Sequence, residues 1–377
     1  MPRSCLPVLA QTAAPVETAA KQAFLIDANT GTVLFAKDAD TPVPTSSMSK
    51  MMTIYLVFEA IRDGKLSLND ELSVSDHAWK QEGSRMYLNA GQKARVEDLI
   101  RGVVIQSGND AAVVFAEALG SGSESVFAEM MNAKAKELGM TNSHFVNATG
   151  LPDPQHYASV RDLATLALAL IRDFPKDYHY FSEIEFAYNG IKQGNRNPLL
   201  YHPEMHVDGL KTGHTDAGGF GLTASSLRDG RRLVLVVNGL QDSKQERGMQ
   251  ARNDESAHLL DYGYREFGLY PIAKAGQKFA DVKTWLGQAP SVPLVASKDV
   301  ELTLPRSARP GLNVVVVFDQ PVEAPIAKGQ KIGELKVTAP GMEPKEFPLT
   351  AANAVPRASF FARLRMKMRL VLSHRVE

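Results

Sequence analysis

At 377 residues the chain has room for a large hydrophobic core and two domains. With 44% hydrophobic and 22% charged residues, and 42 basic residues balancing 42 acidic ones, its composition is that of a globular protein and gives no sign of nucleic-acid binding. The single cysteine, Cys5, excludes an internal disulfide and a cysteine-based metal cluster.

The first residues are ambiguous. Met1-Pro2-Arg3 followed by Leu6 to Gln11 resembles the tail of a secretory signal cleaved after Ala10, but its apolar part is short. Either translation starts upstream or this is an unstructured leader. Cys5 lacks the apolar run that should precede a lipidated cysteine, and Thr12 to Ala20 reads as a tether. No later stretch has the ~18 uninterrupted apolar residues of a membrane span.

Ala23 to Asp27 and Thr32 to Phe35 are strand-like and joined by Ala28-Asn29-Thr30-Gly31, a predicted hairpin. The polar segment Lys37 to Pro44 leads to Ser46-Ser47-Met48-Ser49-Lys50. From Met51 to Phe58 nearly every residue is apolar, so the spacing predicts a helix buried on all sides and stopping before Gly64. Ser47 and Lys50, three apart, share a face at its start. A lysine in apolar surroundings loses proton affinity and can take a proton from a neighbouring hydroxyl. Taken alone, Ser46 or Ser47 serves equally well as a helix cap.

Helical spacing continues over Val96 to Val104, Asn109 to Leu119, Ser123 to Leu138 and Ser159 to Ile171. Strand patterns return at Val207 to Thr215, Gly219 to Leu227 and Arg231 to Leu240. The last two flank the turn Arg228-Asp229-Gly230, and Glu255 to Phe267 reads as a closing helix. Sheet, helices and sheet again predict an α+β domain, with the first hairpin joining the later strands. Beyond Pro271 the chain turns rich in Pro and Val. Short runs at Val300 to Leu304, Leu312 to Phe318 and Ile332 to Val337 predict a small all-β domain. Finally, Arg357 to Arg375 places Phe360, Phe361, Leu364, Met368, Val371 and Leu372 on one helical arc, with Arg363, Arg365, Lys367, Arg369 and His374 flanking or opposite it and Met366 and Leu370 straying from the pattern. That is the pattern of a basic amphipathic helix lying on an anionic membrane surface. A helix packed on the β domain, or bound to a partner protein, is the alternative.

Three short motifs recur in order: Ser47-x-x-Lys50 opening a helix, Ser107-Gly108-Asn109 in a polar loop, and Lys211-Thr212-Gly213 on a strand. They are the set of class A β-lactamases and penicillin-binding proteins, with Gly108 where that set has Asp. Acyl transfer needs a nucleophile, a base, a proton path to the leaving group and oxyanion donors. Ser47 would attack, Lys50 would take its proton, Ser107 would relay it to the leaving amine, and Asn109 would orient the substrate amide or hold Lys50. Lys211 would supply positive charge against Lys50 and toward an anionic substrate end, and Thr212 and Thr215 would offer hydroxyls to a carboxylate. Gly213 would admit substrate to the backbone, and the N–H groups of Ser47 and His214 would form the oxyanion hole.

With these motifs, and with Asn147-Ala148-Thr149-Gly150-Leu151-Pro152 and Val207 to Thr215, the chain resembles the serine-type D-alanyl-D-alanine carboxypeptidases among the low-molecular-mass penicillin-binding proteins. The resemblance covers nearly everything after Ala20. It implies a penicillin-binding/β-lactamase-like α+β transpeptidase domain at 21–271, an all-β domain at 272–355 and an amphipathic helix at 356–377, after a leader at 1–20. The activity implied is removal of the terminal D-Ala from peptidoglycan stem pentapeptides through an acyl-enzyme on Ser47, with β-lactams acylating the same serine. By family pattern, Arg252 helps bind the terminal carboxylate and Arg196 supports the site. His156 resembles a loop histidine near the deacylation site, or else a hydrogen-bonding loop residue. No metal and no cofactor are implied. The location implied is periplasmic, held peripherally on the outer face of the cytoplasmic membrane. Two rivals remain: a class A-like β-lactamase, for which no Glu-x-x-Leu-Asn-like segment follows Asn109, and a non-catalytic wall-binding protein.

Overall fold

The computed structural model describes residues 13, 15–242 and 244–373, with side chains of the last helix described through residue 368. The expected leader with its Ala10 cleavage point, Cys5 and His374 lie outside the described residues, as do the side chains of Arg369, Val371 and Leu372. The chain divides into two compact units, one running from Val16 to Arg265 and the other taking the chain from Glu266 onward.

In the first unit, β1 (Gln22–Asp27) and β2 (Val33–Lys37) form the expected hairpin. A 3-10 turn at Ser46–Ser49 then leads into α1 (Lys50–Arg62). There follow β3 (Glu71–Ser73), α2 (Asp76–Trp79), β4 (Lys93–Arg95), α3 (Val96–Val104), α4 (Asn109–Leu119), α5 (Glu124–Glu137) and α6 (Val160–Asp173). The hairpin of β5 (Glu185–Tyr188) and β6 (Ile191–Gly194) precedes β7 (Val207–Thr215), β8 (Gly219–Arg228), β9 (Arg231–Leu240) and α7 (Gln245–Glu266). The main sheet is antiparallel in the order β2-β1-β9-β8-β7. The first hairpin therefore does join the later strands, and β7 is left at the edge. Helix α1 is buried at every residue from Lys50 to Phe58 and packs against α3, α4, α5, α6 and β7. That environment explains why its sequence carries no polar face.

Three local departures from the sequence reading have physical causes. The serines at 46–49 form a 3-10 turn and α1 starts at Lys50. Helices expected at Ser123 and Ser159 begin one residue later, because each of those serines accepts an N–H as the N-cap. Helix α7 begins ten residues before the expected Glu255. Its buried positions there are Gly248, Arg252 and Ser256, so the inward stripe carries no apolar signature. The end of the expected tether is also attached: Thr18 donates to Glu255 at 2.7 Å and its carbonyl accepts from Lys37 at 2.9 Å.

Among the described residues, the second unit is all-β apart from a 3-10 turn at Arg306–Gly311 and its last helix. Strands β10 (Phe267–Ala273) and β13 (Val300–Pro305) pair as a ribbon. A six-stranded sheet has the order β14-β16-β17-β12-β11-β15, from β11 (Lys278–Trp285), β12 (Ser291–Ala296), β14 (Asn313–Phe318), β15 (Val322–Glu323), β16 (Lys331–Thr338) and β17 (Lys345–Ala351). Its core is aliphatic, built on residues such as Val282, Leu294, Leu335 and Leu349. Helix α8 (Phe360–Ser373) ends the described chain. Among the described residues, no helix is long and apolar enough to cross a membrane.

One glycine locks the 3-10 turn in place. Gly150 has φ of +76°, and a Cβ there would sit 1.9 Å from the Ser46 carbonyl oxygen. Gly150→Ala should destabilise the first unit by about 2–4 kcal/mol. Gly31→Ala, at φ of +69° with open space around it, should cost about 1 kcal/mol. Urea unfolding of the two variants checks this, and equal losses would refute the steric argument.

Candidate active site

The 3-10 geometry of Ser46–Ser49 stacks residues i and i+3, so Ser47 and Lys50 lie one above the other. Lys50 Nζ is 2.9 Å from Ser47 Oγ. The amine also lies 2.6 Å from Asn109 Oδ1 and 2.5 Å from the Thr149 carbonyl oxygen. Asn109 Nδ2 donates to the Glu82 carbonyl at 2.6 Å, which turns the Oδ1 end toward Lys50. Burial lowers the Lys50 pKa to about 7, with Arg196 pushing the same way and Asp110 and Glu124 partly opposing. Arg196 thus adds to the positive charge expected from Lys211, which itself repels Lys50.

Thr149 had no assigned role in the sequence reading. Its carbonyl is presented by the loop after α5, where Asn147 Oδ1 accepts from the N–H groups of Thr149 and Gly150 and from the Thr149 hydroxyl. Thr53 of α1 donates to the neighbouring Ala148 carbonyl at 2.7 Å. Only the distinctive stretch Asn147 to Pro152 signalled this loop, because a backbone carbonyl leaves no mark on residue identity.

Opposite lies β7. Lys211 Nζ donates to Ser107 Oγ at 2.9 Å and to the Thr212 carbonyl at 3.1 Å. Burial, followed by Lys50, Arg196 and Arg252, holds its pKa well below the ordinary lysine value. Gly213 lets β7 approach the 3-10 turn, since a Cβ would come within 2.8 Å of the Thr45 carbonyl oxygen. Ser46 Oγ donates to Thr215 Oγ1 at 3.0 Å, tying the two segments together.

Between them opens a cavity of about 470 Å³. Ser47, Ser107, Arg196, Thr212, Gly213, His214 and Arg252 line it, together with Ser84, Phe220, Gln245 and Met249, which the sequence did not single out. Gln245 and Met249 belong to the stretch of α7 that carried no helical pattern. None of the described lining residues is acidic. Arg252, its pKa lowered to about 10 by burial and by Arg196, remains a cation at neutral pH. Burial likewise lowers Arg196, and burial shifts His214 toward its neutral form where it stacks on Phe220 at 3.9 Å. Such a cavity favours an anion.

Two expected site residues are placed elsewhere. Thr215 is absent from this cavity's described lining, its oxygen accepting from Ser46 and from the Gly218 N–H. His156 is buried behind the turn. Its Nδ1 accepts the Val146 N–H at 3.3 Å, so Nε2 carries the proton and donates to Ser49 Oγ at 2.8 Å. Ser49 in turn meets Thr45 Oγ1 at 2.9 Å. Burial lowers the His156 pKa to about 4. This geometry favours the hydrogen-bonding alternative for His156.

Comparison with known proteins agrees with this arrangement. Residues 9–242 match the family described as D-alanyl-D-alanine carboxypeptidase, and residues 267–357 match the C-terminal domain of penicillin-binding protein 5. The chain is 36% identical over 362 residues to D-alanyl-D-alanine carboxypeptidase DacA of Escherichia coli (strain K12), covering 94% of this chain and 88% of that one. Penicillin-binding protein 5 from Haemophilus influenzae superposes with a TM-score of 0.82 at 34% identity, over 91% of this chain and 99% of that one. Penicillin-binding protein D2 from Listeria monocytogenes, in its ampicillin-bound form, superposes at 0.60 and 27% identity over 67% of this chain and all of its own. The chain belongs to the D-alanyl-D-alanine carboxypeptidase family. That family favours the carboxypeptidase over the class A β-lactamase and over a non-catalytic wall-binding protein.

The position of Lys50 makes a direct prediction. In ¹³C spectra of the lysine Cε carbons, one resonance should titrate near pH 7 and vanish in Lys50→Gln. Arg196→Gln removes a repelling cation, so the midpoint should rise. A downward or null shift would contradict the electrostatic account.

Proposed function

We propose that the protein removes the terminal D-alanine from peptidoglycan stem pentapeptides through an ester on Ser47. The observation that carries this reading is the seat of the Lys50 amine. Asn109 Oδ1 and the Thr149 carbonyl are both acceptors and claim two N–H bonds. When Lys50 is neutral, its lone pair is left facing Ser47 Oγ. The Ser47 hydroxyl then donates to Lys50, and proton removal accompanies attack of Oγ on the penultimate D-Ala carbonyl.

The remaining roles follow from position. The N–H groups of Ser47 and His214 receive the oxyanion. The Ser107–Lys211 pair relays the proton that Lys50 took from Ser47 to the leaving D-Ala nitrogen as its C–N bond breaks, which leaves Lys50 neutral again. Arg252, Lys211 and Thr212 hold the substrate's carboxylate, and Arg196 keeps Lys50 deprotonated. A carboxylate entering the cavity returns Lys211 toward its charged form. Water, losing its proton to Lys50, then cleaves the Ser47 ester, and Lys50 returns that proton to the departing Ser47 Oγ. Gly213 lets the substrate lie along the open edge of β7. β-Lactams enter by the same first step, a reading supported by the ampicillin-bound relative.

The catalytic stretch is 21–271, supported by every one of these residues lying within Val16 to Arg265. The all-β stretch 272–355 presents the tail at 356–377, which binds the anionic outer face of the cytoplasmic membrane and keeps the enzyme peripheral in the periplasm. In support, Phe360, Phe361, Leu364 and Met368 are exposed on α8, Phe361 at 80%. A helix packed on the β domain would bury them.

Ser47→Ala should abolish labelling by a fluorescent penicillin and lower D-Ala release by at least about 10³-fold. Retained labelling would exclude Ser47 as the nucleophile. Because the neutral amine is the base, penicillin acylation should rise about tenfold per pH unit below 7 and level off above it. A profile falling through neutrality would refute Lys50 as base. Deleting Arg357 to Glu377 should release the protein from anionic vesicles while leaving penicillin labelling intact, and undiminished binding would count against the membrane role.

A further inference from the structure

One element of the cavity wall has no part in this chemistry. The loop between α2 and β4 reaches the cavity at Ser84, whose carbonyl accepts the Asn109 N–H at 2.7 Å. Next to Asn109, the buried Asp110 carboxylate accepts the N–H groups of Met86 at 3.0 Å and Leu88 at 3.2 Å. Both side chains are buried, and Gln193 donates to the Arg85 carbonyl at 3.3 Å. The residue between Met86 and Leu88 is thereby held at φ of +66°, with its side chain directed outward. Glycine or asparagine takes that conformation readily. This chain places Tyr87 there, 47% exposed. Arg85, half-buried, sits with its guanidinium 5.6 Å from the Tyr87 ring centroid.

A bulky aromatic ring in a strained backbone position, fixed from below and exposed above, is a display rather than a packing element. Ring and guanidinium together present a flat apolar face beside a positive charge. Such a pair accepts an aliphatic arm that ends in a carboxylate. The substrate's terminal carboxylate is assigned to Arg252 and Thr212, so the peptide upstream of the scissile bond leaves the cavity elsewhere. The loop from Ser84 to Tyr87 borders that cavity on the side of Ser107 and Asn109.

We propose that Tyr87 and Arg85 form a subsite for the acidic portion of the stem peptide upstream of the scissile bond. The Tyr87 ring packs on its aliphatic arm and Arg85 pairs with its carboxylate. The subsite rests on the reading of Ser47 as nucleophile, and it makes the enzyme prefer a full stem peptide to a truncated D-Ala-D-Ala.

The test compares four probes on the full chain: an acidic stem pentapeptide, the same peptide with its upstream side-chain carboxylates amidated, N-acetyl-D-Ala-D-Ala, and benzylpenicillin. Tyr87→Ala should lower kcat/KM for the acidic pentapeptide about tenfold, while the truncated peptide and penicillin acylation change by less than about twofold. Tyr87→Phe should retain wild-type preference, and Tyr87→Gly, which relieves the backbone strain, should behave as Tyr87→Ala. Arg85→Ala should remove most of the preference for the acidic over the amidated peptide. Equal losses on all probes would make the loop a scaffold for Asn109 and overturn the subsite. An unchanged pentapeptide rate would overturn it too. A wild-type protein that neither takes penicillin nor releases D-Ala would instead overturn the reading of Ser47 and the subsite with it.

Discussion

The arrangement depends on one nitrogen. Lys50 is buried at the start of a helix that is itself buried, where an ammonium would forfeit most of its hydration. Two oxygens from separate parts of the chain, Asn109 Oδ1 and the Thr149 carbonyl, accept from it. They leave a single direction open, toward Ser47. Burial, which makes the lysine a base near neutrality, and the two acceptors, which aim it, are separate contributions. The first comes from the apolar run Met51 to Phe58, the second from the first residue of α4 and the loop following α5.

The same logic extends across the cavity. Lys50, Lys211, Arg196 and Arg252 crowd one region whose described lining offers no acid. Their mutual repulsion lowers the proton affinity of both lysines, and it falls when an anion enters. A substrate carboxylate thus relieves a strain built into the empty site. Charge selection and lysine tuning draw on one set of residues, so a change at Arg196 disturbs both.

Much of this was legible in the sequence, for identifiable reasons. The side chains to which the proposed chemistry is assigned sit at fixed spacings: Ser47 and Lys50, Ser107 and Asn109, Lys211 to Gly213. Strands β8 and β9 were marked by apolar runs around Asp229-Gly230. What stayed hidden had no side-chain signature. The Thr149 carbonyl is backbone. The N-terminal half of α7 buries Gly248, Arg252 and Ser256, so its inward face reads as polar. His156 carried the residue type of a catalyst, yet its partners Val146 and Ser49 became visible only once the chain was folded. The 3-10 turn could not be told from a first helical turn, because Ser-x-x-Lys puts both side chains on one face in either geometry.

The turn also explains why a hydroxyl so close to the core remains reachable. Had α1 begun at Ser46, the Ser47 N–H would point along a regular helix start and β7 would face a wider cylinder. The tighter turn, with Ser46 at φ of +53°, instead tucks under Gly150 and lies against Gly213. Glycine at both contacts lets two backbones close on the serine from either side without a Cβ between them. Ser47 is thus held by main chain, and its side chain is left to meet Lys50 behind and the cavity in front. In the proposed mechanism, a serine positioned by its own backbone does not give up hydrogen bonds to be placed, which leaves its one proton for the lysine.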